Sequence, residues 1–188
     1  MILDIIQYPD RRLKIPGRKV EVVDDAIKKI VSDMFDTHYA QENCAALAAT
    51  QLDFSQDEKN PAYRITVIDF SENKDQPLCL INPEIIERDG ETNTEEGCMS
   101  VYNVSAKVAR AASIKLTYLD QQGEKQSMYA DGFMAKCIQH ELDHLDGKLY
   151  IDHLSSLKLS RLEKQLDKFR RWKKSFEKSK AAEDKEDS

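Results

Sequence analysis

The amino-acid sequence predicts an α+β domain in which antiparallel sheets pack around a central helix carrying the pattern H-E-x-x-H, with a long helix at the C-terminal end. Three observations carry this expectation. Helical periodicity appears over residues 24–40 and returns after residue 132. The segments between alternate apolar and polar residues. Gln121-Gln122-Gly123 supplies a turn between two of them.

Residues 24–40 form the first helix, with Asp24 as its cap and Ile27, Ile30, Val31, Met34 and Phe35 at helical spacing. Tyr63 to Phe70 is β-branched and aromatic, as suits a strand. Leu78 to Ile81 is a short apolar strand ended by Asn82-Pro83, since proline cannot donate to a ladder. Val104, Ala106 and Val108 alternate with polar residues, as do Ile114, Leu116 and Tyr118, so both segments read as half-buried strands. Residues 124–130 return antiparallel after the turn. The next helix spans about 133–146, started by Asp131-Gly132 and stopped by Gly147. Its Phe133, Met134, Ile138, Leu142 and Leu145 form an apolar stripe, while Cys137, His140, Glu141 and His144 share another face. A helix engaged on both faces is central rather than superficial. From Leu154 a long helix follows, with Leu162, Leu166, Phe169 and Phe176 as its apolar face.

The 188 residues suit one core, and 40% hydrophobic with 33% charged residues is the balance of a soluble globular chain. No apolar run approaches the roughly 20 residues of a membrane-spanning helix. Met1-Ile2-Leu3-Asp4 lacks the pattern of a secretory signal, so a cytoplasmic location is expected, and the chain is separately expected to be a monomer. Cys44, Cys79, Cys98 and Cys137 are few and scattered, which favours thiol or ligand chemistry over a disulfide frame. The expected organisation is a catalytic domain over 1–157, a basic helix of the same domain over 158–180, and a disordered acidic tail over 181–188. The basic helix holds ten Lys/Arg against three acids, the tail one lysine against four acids, and the body 17 basic against 27 acidic residues. A basic arm on an acidic body bears on partners.

His140 and His144 stand one helical turn apart, so both imidazoles can reach one metal ion, and Glu141 can exchange a proton with a water activated there. Read alone, the pattern means a metal-dependent hydrolase without naming its substrate. A third ligand is needed. Asp152 and His153 come soonest after the motif but read as a strand-end or loop pair. Cys98, beside Gly97, is the better candidate, because a thiolate binds zinc or ferrous iron well and glycine permits close backbone approach. Cys137 competes, one turn before His140, although a small buried hydrophobe is the commoner role for such a residue.

Three motifs resemble those of peptide deformylase, the family that removes the formyl group from the N-terminal methionine of newly made bacterial proteins. H-E-x-D-H matches at His140-Glu141-Leu142-Asp143-His144. E-G-C-L-S matches at Glu96-Gly97-Cys98-Met99-Ser100, with methionine in place of leucine. G-x-G-L-A-A-x-Q matches in its second half, Leu47-Ala48-Ala49-Thr50-Gln51. Tyr8-Pro9-Asp10, Val67-Ile68-Asp69, Leu80-Ile81-Asn82-Pro83-Glu84 and Gly147-Lys148-Leu149-Tyr150 extend the likeness over residues 1–165. The resemblance implies that Cys98, His140 and His144 bind one divalent metal ion, Fe2+ in the cell, with Zn2+, Ni2+ or Co2+ able to take its place. It implies Glu141 as general acid/base, and the Gln51 side chain and Met99 backbone N–H as oxyanion donors. The implied substrate is an N-formylmethionyl peptide, which releases formate.

The chain departs from the pattern in two places. Cys44 and Ala46 stand where the first motif has glycines, and Val101-Tyr102-Asn103-Val104-Ser105 replaces a segment usually reading I-P-E or similar with a basic residue following. No arginine occurs until Arg110. The expectation is retained metal binding and hydrolysis, with weaker or shifted activity on ordinary formyl-methionyl peptides. Two other readings compete: a deformylase-like paralogue with weak or no turnover, and another metal-dependent peptidase or amidase, which the upstream position of Cys98 disfavours. Some family members reach the ribosome through a C-terminal helix, so the basic helix, with Phe169 and Trp172 among its cations, is a candidate RNA contact weighed against a plain solvated face.

Overall fold

The computed structural model describes the backbone of residues 1–186 and the side chains of residues 1–176. Helix α1 (Asp25–Ala40) begins where expected, with the Asp24 carboxylate accepting a hydrogen bond from the Ile27 amide, one of the donors a helix start leaves unpaired. Strands β1 (Ala46–Ala48), β2 (Ile65–Ile68), β3 (Leu78–Asp89), β6 (Ser113–Leu119) and β7 (Lys125–Asp131) form an antiparallel sheet in the order β1-β2-β3-β6-β7. Strands β4 (Thr92–Cys98) and β5 (Val101–Arg110) form a separate antiparallel ribbon. Helix α2 (Gly132–Leu145) shares a core with the five-stranded sheet, where Ala135 and Ile138 are buried with Ile68, Leu80, Ile114 and Leu116. The ribbon has its own core. In it Val101 and Val108 meet Tyr150, Ile151 and the buried Leu162 and Leu166 of helix α3 (Ser156–Glu186). The α+β class and the central H-E-x-x-H helix stand as expected, and Glu141 and His144 on the polar face of α2 are buried too, as is Gln139 elsewhere on the helix.

Several elements differ from the sequence expectation, each for a local reason. β3 does not stop at Asn82-Pro83 but runs on to Asp89 through a register shift between Ile81 and Glu84. Asn82 takes a left-handed conformation (φ 51°) there, and its side chain pairs with both backbone groups of Val20, at 2.9 and 2.8 Å. Proline thus falls at an irregularity where no ladder donor is required. β1 and β4 were not anticipated. β1 is three residues, two alanines around Leu47, without β-branching, and β4 is a polar stretch held by its ladder to β5. Phe133 and Phe176 are not core residues, being 49% and 57% exposed. Phe133 instead meets Phe70 edge to face at 4.9 Å, and Phe176 stacks on Trp172 at 5.5 Å. The tail expected over 181–188 overlaps helical backbone at 181–186 and otherwise lies outside the described residues.

Gly147 ends α2 in a left-handed conformation (φ 70°), its amide donating to the His144 carbonyl at 3.0 Å. A β-carbon there would lie 2.6 Å from the Lys14 carbonyl oxygen, a backbone atom with no easy retreat. Gly147→Ala is expected to cost about 3 kcal/mol through combined strain and clash. Urea unfolding measures this, and a loss under about 1 kcal/mol would contradict the close approach.

Candidate metal centre and active-site cleft

Helix α2 sets His140 and His144 one turn apart with their Nε2 atoms 3.3 Å from each other. The end of β4 brings Cys98 Sγ to 3.2 Å from His144 Nε2. Among the described residues these are the three side chains whose ligand atoms converge, all within 4.8 Å of one another. The His140 Nδ1 atom lies 2.8 Å from the Glu96 carboxylate. A carboxylate only accepts, so the proton sits on Nδ1 and the His140 Nε2 lone pair faces the other two donors. Two imidazole nitrogens and one sulfur gathered in this way fit a divalent cation such as zinc or ferrous iron.

Glu96 is the hinge of a buried charge network. Arg110 donates to both its oxygens, at 2.8 and 3.0 Å, and the same guanidinium reaches Asp143 at 2.6 Å. Burial works to raise the Glu96 carboxyl, but hydrogen bonds and charge from Arg110 and His140 outweigh it and hold it down at about 2. His153 Nε2 meets Asp143 at 2.7 Å, so this pair serves the network and stands apart from the three converging donors. The Tyr150 ring stacks on His140 at 6.0 Å, and its hydroxyl donates to the Val104 carbonyl at 3.0 Å. The Thr50 hydroxyl donates to the His144 carbonyl at 2.9 Å, tying the segment after β1 to α2.

A cleft of about 640 Å³ opens beside these groups, lined among others by Gln51, Cys98, Met99, His140 and Glu141. The Ala48 amide donates to Gln51 Oε1 at 2.9 Å, which turns Nε2 towards the Ser100 hydroxyl (3.1 Å) and the Cys98 sulfur (3.4 Å). The amide is thereby presented as a donor. Glu141 is 4% exposed and its Oε2 has no hydrogen-bond partner among the described residues. Burial, with the Glu96 charge adding to it, pushes its carboxyl up to about 7 against the opposing charges of His140 and Arg110. Cys137 is buried and outside the converging set, so the competing ligand reading of that residue has no support. Cys44 and Ala46 line the cleft without strain. Neither has a positive φ, which falls instead on Asn43 (55°), and Ala46 sits in β1 opposite Ile68. Tyr102, Asn103 and Ser105 line the cleft as well.

The polypeptide deformylase family model matches residues 2–160. The chain belongs to the polypeptide deformylase family. It is 60% identical over 168 residues to peptide deformylase 1 of Coxiella burnetii, covering 89% of this chain and 96% of that relative. A crystal structure of a peptide deformylase from Legionella pneumophila superposes with a TM-score of 0.82 at 37% identity, covering 92% of this chain and 98% of that one. The peptide deformylase of Ehrlichia chaffeensis in complex with actinonin gives 0.80 at 33% identity, over 90% and 98%. The deformylase activity is metal-dependent hydrolysis that removes the N-formyl group from nascent proteins. All six site residues expected from the sequence meet at one cleft or at the donor cluster beside it.

The deformylase network contains residues that sequence reasoning did not assign. Glu96 and Asp143 carry a signal in hindsight, being charged residues inside motifs and next to ligand candidates. Arg110 carries little, since an arginine ending an alternating strand reads as exposed, whereas here it is 7% exposed. Replacing Glu96 by Gln keeps the shape and removes the charge that holds His140 in its tautomer. Affinity for zinc is expected to fall 10–100-fold. Competition with a chromophoric chelator measures it, and unchanged affinity would remove Glu96 from the role of orienting His140.

Proposed function

We propose that Cys98, His140 and His144 hold the cation of this deformylase, Fe2+ in the cell, with Zn2+, Ni2+ or Co2+ able to take its place. The observation that carries this reading is the convergence of their three ligand atoms within 4.8 Å at a cleft into which Gln51 is turned as a donor. A bound cation supplies Lewis acidity, which makes hydroxide available from water near neutral pH. The other tasks fall to the chain. Gln51 Nε2 and the Met99 N–H donate to the oxygen of the formyl group as negative charge develops on it. The buried Glu141 carboxylate takes a proton from the attacking water and passes it to the departing amine, leaving formate and a free α-amino group. The substrate is an N-formylmethionyl peptide, with Tyr102, Asn103 and Ser105 shaping recognition beyond the methionine. Glu141→Ala is expected to lower formate release from a formyl-methionyl tripeptide about a thousandfold while metal content stays at the wild-type level. Substantial formate release from that variant would assign the proton transfer elsewhere.

The same reading extends to the partner. No described helix is long and apolar enough to cross a membrane. A monomer in the cytoplasm, where nascent chains emerge, fits the activity, and α3 offers a contact for the ribosome. Phe169, Trp172 and Phe176 form an aromatic run, with centroids 5.6 and 5.5 Å apart, on a helix rich in lysine and arginine. Stacking rings among cations suit RNA. Removal of residues 158–188 would cut into a buried core at Leu162 and Leu166, so the test replaces Arg171, Trp172 and Lys174 together with Ala. Co-sedimentation with ribosomes is expected to weaken about tenfold in low salt and to converge with the wild type as salt rises. Equal co-sedimentation at every salt concentration would leave a solvated face as the account of α3.

A further inference from the structure

The segment Ile5–Tyr8 is bonded to the backbone carbonyls of both residues proposed above as oxyanion donors. Ile5 pairs with Leu52 in an antiparallel bridge, and the Ile6 amide donates to the Gln51 carbonyl at 2.8 Å. One residue on, the Gln7 side-chain amide donates to the Met99 carbonyl at 2.9 Å, and the Tyr8 amide donates to the Ser100 carbonyl at 2.8 Å. Met99 and Ser100 are the corner residues of the tight turn closing the ribbon, whose last pair is Cys98 with Val101. The peptide linking two such corners is the one a turn can rotate while leaving its flanking strands in place.

Here that peptide is held at both ends. Its carbonyl, from Met99, takes the Gln7 amide, and its N–H, from Ser100, points at Cys98 Sγ from 3.4 Å. Rotation would swing the N–H away from the sulfur and bring the carbonyl dipole round towards a site where negative charge develops. The Ser100 N–H can resist this only weakly, because a sulfur acceptor at that distance makes a soft bond. The grip on the carbonyl side comes from an exposed side chain of a different segment, which contributes nothing to any core.

We propose that Gln7 is a positioning residue for the hydrolysis: it locks the Met99–Ser100 peptide with its N–H on the Cys98 sulfur and its carbonyl on Gln7, so that this carbonyl stays turned away from the oxygen that the adjoining Met99 N–H serves. This rests on the reading of Gln51 and Met99 as oxyanion donors. The test compares cobalt-loaded wild type with Gln7→Leu, Gln7→Glu and Gln7→Lys in formate release, amide hydrogen exchange at Ser100 and thermal melting. Gln7→Leu is expected to lower kcat about fivefold with KM unchanged, the factor of one ordinary net hydrogen bond. Gln7→Glu sets acceptors against the Met99 carbonyl and should lose more, whereas Gln7→Lys keeps a donor and should recover most of the wild-type rate. Ser100 exchange should quicken in the Leu and Glu variants, with the melting temperature unmoved. Unchanged kcat in the Leu and Glu variants, with or without faster exchange, would overturn the proposal, as would an equal loss in Gln7→Lys. Gln51→Leu separates the two levels. If it loses a hundredfold in kcat while the Gln7 variants lose nothing, the positioning role alone fails; if it too loses nothing, the donor reading fails.

Discussion

Glu96 lies between Arg110 and His140 within hydrogen-bond distance of both, its side chain almost wholly withdrawn from water. A carboxylate in that position is tolerable because Arg110 balances its charge and His140 donates to it, and removing Arg110 would leave an uncompensated buried charge. The pairing therefore fixes more than itself. Glu96 belongs to β4, Arg110 to the end of β5, and His140 to α2, so one ion set forces ribbon and helix into a single relative placement. Cys98, two residues beyond Glu96, is then carried to the histidines by strand geometry. Asp143 extends the constraint to a second point on the helix, which limits rotation about its axis as well as translation along it.

The two departures from the family pattern turn out to differ in kind. Ala46 and Cys44 occupy ordinary backbone conformations, so the glycines they replace were not needed here for their φ angles. Their effect is confined to side-chain volume: the Cys44 thiol bonds the Ala46 carbonyl at 3.3 Å, and burial pushes the thiol up to about 12, which keeps it a neutral, unreactive wall. The segment after Ser100 is altered in its connections. Tyr102 leans on Phe169 of α3 at 5.4 Å, and Asn103 takes the left-handed region that asparagine tolerates better than most residues. The cleft wall is thus coupled to the C-terminal helix by an aromatic contact.

Elements with strong periodicity were legible. Helix α1, helix α2 and the hairpin of β6 and β7 follow directly from spacing, capping and turn residues, because local preference and tertiary position agree there. β1 and β4 were hidden. Their residues have little strand preference, and their pairing partners lie far away or on a polar ribbon, so only the assembled ladder defines them. The same logic divides the site. His140, Glu141 and His144 announce themselves by helical geometry, and Cys98 and Gln51 by motif. Arg110 and Gln7 act through partners on other elements, at separations of 14 to Glu96 and 92 to Met99, which no local pattern encodes.

On the ligand set proposed above, the separation of the donors also shapes how the protein comes to hold its cation. His140 and His144 lie four residues apart, but Cys98 is 46 residues from His144, across β5, β6 and β7. Closing a loop of that size is entropically uphill until the ribbon and the five-stranded sheet have both formed. Of these three donors the unfolded chain holds only the histidine pair close together, a poor trap for a divalent ion. Loading therefore follows folding, and by mass action the cation stabilises only the finished structure, so scarcity of metal would lower the melting point without slowing the folding reaction.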